Sequence, residues 1–136
     1  MIRAARACVA GQASGPALVL TEALSFYGGI DPASGKIIDP TNSRRGEYVC
    51  GRIMVMPAGR GSSSSSSVFV EAIRAGTGPA GLVLGRIDPI LPVAGIVAST
   101  LYGIDCPIVV CSIAGIDDGA MVTIIARPDR SAEVRV

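Results

Sequence analysis

Apolar residues alternate loosely over Ile2–Val9 and then gather into short apolar runs at Ala17–Leu20, Gly81–Gly85 and, with Ser112 the one polar position, Pro107–Ile113. Runs of this length between turn residues predict strands, and the wholly apolar ones predict strands covered on both faces. Tyr48–Met56, ending in the apolar Ile53–Met56, predicts another, and Ile37–Ile38 starts a short one. Met121–Ala126 and Ala132–Val136 close the chain as a pair around Pro128–Asp129. Helical spacing replaces alternation twice. Val68–Ala75 predicts one helix, stopped by Gly76-Thr77-Gly78-Pro79. Asp88-Pro89 opens a second, with Ile90, Leu91, Ala94, Val97, Ala98 and Leu101 on the helical period and Gly103 at its end. Turn chemistry marks Gly11–Pro16, Asp31–Lys36, the polar loop Pro40–Gly46 and Gly115–Gly119. About eight short strands and two main helices, all-β at the front and β-α-β-α-β in the middle, predict a mixed α/β, barrel-like domain with its helices on one side. With no internal repeat, charge block or linker, residues 1–136 read as one domain.

Between the Ile53–Met56 strand and the first helix lies Met56-Pro57-Ala58-Gly59-Arg60-Gly61 followed by Ser62 to Ser67. A glycine-bracketed, serine-lined passage from strand to helix places unpaired backbone N–H groups and hydroxyls at a helix N-terminus, a natural seat for an anion. Ser64 to Ser67 also suit the N-cap and first turn. The competing reading is a flexible Gly/Ser linker, against which stands the absence of any change in composition on either side.

Composition narrows the chemistry. Hydrophobic residues make up 49% of the chain and aromatics only 4%, so the core is aliphatic. A net charge of +1, without a basic patch, gives no reason to expect nucleic acid. Met1–Arg6 has no apolar signal core and no apolar run reaches membrane-spanning length, so a cytoplasmic, membrane-free protein is expected. The four cysteines form no C-x-x-C pair, and Cys111, in an apolar run, reads as a buried thiol. No metal ligand is assigned within the chain. Histidine is absent altogether, which removes the commonest general base, the commonest metal ligand and every Ser–His or Cys–His pair.

A serine hydroxyl acts as a base only where its alkoxide is stabilised, and a helix N-terminus, turn N–H groups and a nearby cation such as Arg60 do that. Ser62 follows Arg60-Gly61, where the backbone is free to aim its hydroxyl outward. Arg60 could equally clamp a carboxylate with its planar fork, or be a surface ion-pair residue. Ser25-Phe26-Tyr27-Gly28-Gly29 reads either as a substrate-facing loop or as a connection with two aromatics on the core. Asp117-Asp118 reads as a solvated turn, and Arg44-Arg45 as surface charge or a partner contact. Taken alone, these residues describe an anion-binding serine loop in a small α/β domain.

Several separated motifs, in order, carry a resemblance. Gly15-Pro16-Ala17-Leu18-Val19, Leu24–Pro32 with Gly35 and Ile38-Asp39, Gly51–Pro57, and Gly59-Arg60-Gly61-Ser62-Ser63 with Ser66 or Ser67 resemble the small subunit of aconitase X, over about Arg3 to Thr123. The resemblance implies a swivelling β/β/α domain that works with a large catalytic subunit as a heterodimer. It implies that the large subunit holds an iron–sulfur centre acting as Lewis acid on the leaving hydroxyl of a small hydroxy acid. Ser62, the first serine after Gly59-Arg60-Gly61, is then the proton acceptor of a hydro-lyase, with Arg60, Gly61, Ser63, Ser25, Gly28 and Gly29 about the substrate. Bacterial members resemble cis-3-hydroxy-L-proline dehydratases and archaeal members mevalonate 5-phosphate dehydratases. Arginine-rich composition, with Lys36 the lone lysine, favours the former. Where many members carry a His-Pro pair, this chain has Thr41–Arg45. A free-standing anion-binding module and a non-catalytic structural subunit are the readings set against the dehydratase.

Overall fold

The computed structural model describes residues 1–136 and contains nine strands and two main helices, one strand more than expected. In chain order they are β1 (Ile2–Val9), β2 (Gly11–Val19), a bent helical turn α1 (Phe26–Gly29), β3 (Ile30–Asp31), β4 (Lys36–Ile37), β5 (Ile53–Met56), α2 (Ser63–Ala75), β6 (Gly81–Leu84), α3 (Leu91–Tyr102), β7 (Ile108–Val110), β8 (Met121–Ala126) and β9 (Ser131–Arg135). Seven strands close a barrel in the order β1-β7-β6-β5-β2-β8-β9, while β3 and β4 form a separate ribbon. The strands β2, β5, β6 and β7 are parallel neighbours, linked by the long crossovers that parallel pairing needs, and the remaining barrel pairs are antiparallel.

Two apolar layers explain why the central strands carry no polar position. Ile53, Val55, Val83 and Val109 point into the barrel with Val122, Ile124 and Val134. Their chain neighbours Met54, Met56, Leu82, Leu84 and Ile108 point the other way, under Phe69 and Ile73 of α2 and Leu91, Ala94 and Ala98 of α3. Period-2 alternation therefore survives in β5 as a choice between two interiors. Phe26 stacks on Phe69 at 4.4 Å between ring centroids, pinning the α1 turn to α2. Truncating a buried phenylalanine of this kind costs about 3–5 kcal/mol. Helices α2 and α3 both end on a left-handed glycine, Gly76 and Gly103, as their sequences predict.

Several boundaries differ from expectation. Gly11–Pro16 is strand rather than turn, because its residues pair one for one with Ala126–Met121 of β8. Its turn-forming residues suit this place: Gln12, Ser14 and Pro16 fall on the exposed side of the strand. Tyr48–Arg52 is not strand, since Cys50 and Gly51 turn the chain and only Ile53–Met56 joins the barrel. β7 is shorter than Pro107–Ile113. Leu101, placed on the inner face of α3 by its spacing, is 67% exposed. Cys111 is only half-buried, whereas Cys106 is the buried thiol, pushed up to about 12 by burial. All four cysteines are free. No helix is long and apolar enough to cross a membrane.

Candidate functional site

β5 runs out at Met56, and the chain turns through Pro57–Gly61 into α2. Gly61 has φ of +111°, a conformation that side chains oppose. A Cβ there would also overlap Ser65 Oγ and come within 2.7 Å of Ser25 Oγ. Gly59 has the same relation to α3, because a Cβ on it would overlap the carboxylate of Asp88. Two glycines thus let the turn settle between the α1 turn on one side and the start of α3 on the other.

Ser62, rather than a residue of Ser64–Ser67, caps α2. It has extended angles, and its Oγ accepts a hydrogen bond of 3.3 Å from the Ser64 N–H. Ser62, Ser63 and Arg60 are all exposed. No acidic residue occupies the first turn of α2, so the positive end of its dipole meets no charge from its own helix. Arg60 makes none of the chain's ion pairs, and its backbone bridges in parallel to Ser25. Its charge also reaches Asp39, whose carboxyl is held below its ordinary value mainly by a hydrogen bond from the Thr41 hydroxyl. An exposed hydroxyl, a helix N-terminus and an unpaired guanidinium in one turn can take up an anion and stabilise a serine alkoxide.

Of the residues named from sequence, Arg60, Gly61, Ser62, Ser63 and Ser25 come together here. The Ser25–Gly29 loop combines both of its readings: Phe26 is buried on Phe69, whereas Tyr27 is 65% exposed. Gly28 is exposed with φ of +76°, and Gly29 is buried, with the place of a Cβ 2.9 Å from Leu24 Cδ1. Asp118 is not simply solvated. It accepts from the Val19 N–H at 3.0 Å and pairs with Arg44 at 3.0 Å, and these hold its carboxyl below the usual range, the Val19 bond foremost. Arg44 is also engaged by Glu47, whereas Arg45 is exposed. One residue escaped the sequence reading: Ser65 is fully buried behind Gly61 and bonds Ser25, and nothing in a run of six serines singles it out. Asp88, read from sequence as the opening of the second helix, accepts hydrogen bonds from the first N–H groups of α3.

The four thiols do not fit an iron–sulfur centre. Nowhere do three His, Cys, Asp or Glu side chains gather as a metal would require. Cys106 is moreover buried as a neutral thiol that bonds the Pro79 carbonyl.

A closed mixed barrel with two helices over one flank, and a serine-capped turn facing outward, is the architecture of a swivelling β/β/α domain. The chain belongs to the aconitase X swivel-domain family, whose model matches residues 2–132. It is 44% identical to the cis-3-hydroxy-L-proline dehydratase of Pseudomonas aeruginosa over 103 residues, which are 76% of this chain and 18% of that protein. It is 33% identical to the phosphomevalonate dehydratase small subunit of Methanothrix thermoacetophila, over 91% of this chain and 93% of that one. The chain thus spans about a fifth of the length of the hydroxyproline dehydratases it matches. Among solved structures, aconitase X of Thermococcus kodakaraensis superposes with a TM-score of 0.84 at 26% identity, covering 98% of this chain and 99% of that one. A UPF0107 protein solved by solution NMR superposes with a TM-score of 0.85 at 29% identity, covering 100% and 98%.

Proposed function

We propose that this chain is the swivelling, base-bearing part of a dehydratase, most closely a cis-3-hydroxy-L-proline dehydratase yielding pyrroline-2-carboxylate. The observation that carries the reading is Ser62 itself: an exposed hydroxyl at the uncharged N-terminus of α2, with Arg60 unpaired two residues before it. In the proposed reaction Ser62 Oγ, as alkoxide, takes the proton α to the substrate carboxylate. The C–H electron pair becomes the new double bond, the hydroxyl on the adjacent carbon leaves with its bonding pair as hydroxide, and the proton held by Ser62 then converts it to water and restores the alkoxide. Arg60, together with Gly61 and Ser63 at the helix N-terminus, orients the carboxylate, and Ser25 and Gly28 border the substrate, with the buried Gly29 shaping the loop beneath them.

The rest of the catalytic assembly, with its iron–sulfur centre, is a large catalytic region outside these residues, in a heterodimer in the cytoplasm. The phosphomevalonate relatives are named as small subunits, which supports this division of labour. Helix α3 supports it too, for it carries no charged residue and leaves Val93, Ile96 and Leu101 more than half exposed. A second substrate, mevalonate 5-phosphate, is favoured by one observation: the relatives matched over most of both chains act on phosphomevalonate by name.

Both are tested by co-purifying the chain anaerobically with its large catalytic partner and supplying each substrate separately. Turnover of cis-3-hydroxy-L-proline that disappears in Ser62→Ala, with the complex intact, is the expected result. Turnover of the phosphate alone moves the assignment to the second substrate. Full activity in Ser62→Ala overturns the catalytic role and leaves a structural subunit.

A further inference from the structure

Ser65 is the one buried polar side chain of the molecule, fully withdrawn from solvent on the first turn of α2. A buried hydroxyl is stable only when its hydrogen has an acceptor. Ser65 Oγ has two partners: the Tyr27 N–H at 3.5 Å and Ser25 Oγ at 2.8 Å. A backbone N–H can only donate, so Ser65 is the acceptor toward Tyr27, and its own hydrogen is left for Ser25. The direction of the Ser65–Ser25 bond follows from this. With Ser65 as the donor, Ser25 Oγ accepts, and the Ser25 hydrogen is left without a hydrogen bond to the rest of the chain. Ser25 is only half-buried, and its Oγ lies 2.7 Å from the place a Cβ on Gly61 would take, beside the residue that precedes Ser62.

We propose that Ser65 is a positioning residue that fixes Ser25 as a hydrogen-bond donor to the substrate's carboxylate. The inference rests on the dehydratase reading above and deepens it. The sign of the bond matters. A Ser25 that donated to Ser65 would turn its lone pairs toward the turn and repel an incoming carboxylate, whereas a Ser65 that donates leaves Ser25 as a neutral donor next to Arg60 and the helix N-terminus. It also accounts for Gly61, since any side chain there would fall between the two hydroxyls.

The test is a double-mutant cycle in the complex with the large catalytic partner, using cis-3-hydroxy-L-proline, alongside amide exchange on the full chain. Ser25→Ala and Ser65→Ala each raise KM by about tenfold with little change in kcat, the signature of lost binding shared by ground and transition states. Ser25→Ala/Ser65→Ala is no worse than Ser25→Ala alone, because Ser65 acts through Ser25. In the chain itself, the Tyr27 amide exchanges several-fold faster in Ser65→Ala and at the original rate in Ser25→Ala. Additive losses in the double variant, a fall in kcat at constant KM, or a Tyr27 amide untouched by Ser65→Ala overturns the proposal. A wild-type complex that turns over nothing overturns the dehydratase reading, and with it the ligand of Ser25, while the exchange result still decides the Ser65–Ser25 link. Dispersed amide spectra of each variant separate a lost hydroxyl from a lost fold.

Discussion

Helices α2 and α3 follow neighbouring parallel strands, β5 and β6, so both begin at the same end of the barrel, yet their N-termini are opposites. At α3 the Asp88 carboxylate accepts from the N–H groups of Ile90 at 3.1 Å and Leu91 at 2.6 Å. A proline lies in the first turn, with no N–H to offer. That helix carries its own anion and is closed. At α2 a neutral serine holds a single N–H at 3.3 Å, no acidic residue follows, and the preceding cation is unpaired. That helix is left open to an anion from outside. A helix N-terminus is thus available to an outside anion only where the chain does not fill it. The two starts also touch, since Gly59 of the open turn lies against Asp88 of the closed one.

Closing the open end is the sharpest way to break this contrast. Ser62→Ala removes the proposed base and should lower kcat by at least about a thousandfold, while the lost cap costs only about 1 kcal/mol by denaturant melts. Ser62→Asp makes α2 resemble α3. It should abolish turnover equally while leaving the chain as stable as wild type or more so, because an acidic N-cap suits the dipole. A variant that retains activity removes Ser62 from the chemistry.

Next in size is Gly59→Ala, whose Cβ would displace the Asp88 side chain and uncap α3 from the neighbouring turn. The expected loss is about 1–3 kcal/mol, in the range of overpacking. It should shrink in an Asp88→Ala background if the contact is what matters. Asp88→Ala itself should cost about 1 kcal/mol, and Asp88→Asn, which keeps an acceptor, much less. Equal melting midpoints for the two would remove Asp88 as the cap.

The smallest effect is one of pH, in a region that serves neither helix start. Asp118 and Glu47 are held below their usual values, Asp118 by the Val19 N–H and Arg44, Glu47 by Arg44 and Arg52. Depressed carboxylates contribute stability above their unfolded values of about 4, and lose it as pH falls through the folded ones. Both are over 40% exposed, so solvent screening leaves about 1 kcal/mol or less. Urea midpoints taken between pH 6 and pH 3 should show this acid loss in the wild type and less of it in Arg44→Ala. The Ser62 turn holds no carboxylate, and Ser62→Ala should leave the slope unchanged.

What could be read from the chain alone was whatever depends on neighbours in sequence. Covered strands at Ile53–Met56 and Gly81–Leu84, the glycine ends of α2 and α3, and the anion-friendly turn between strand and helix all follow from local periodicity and backbone chemistry. The quoted motifs also pointed to the right family, because they recur in order along the chain. What only the tertiary structure decided depends on partners far away in sequence. Gly11–Pro16 became strand because β8 lies beside it, and Asp118 became an ion-pair residue because Arg44 folds back to meet it. Leu101 stayed exposed because the turn of α3 that carries it has nothing packed over it. Among six successive serines, local chemistry is nearly uniform. Which one caps α2 and which is buried was set by where Gly61 and Ser25 press against the helix, and that is a matter of packing across the fold.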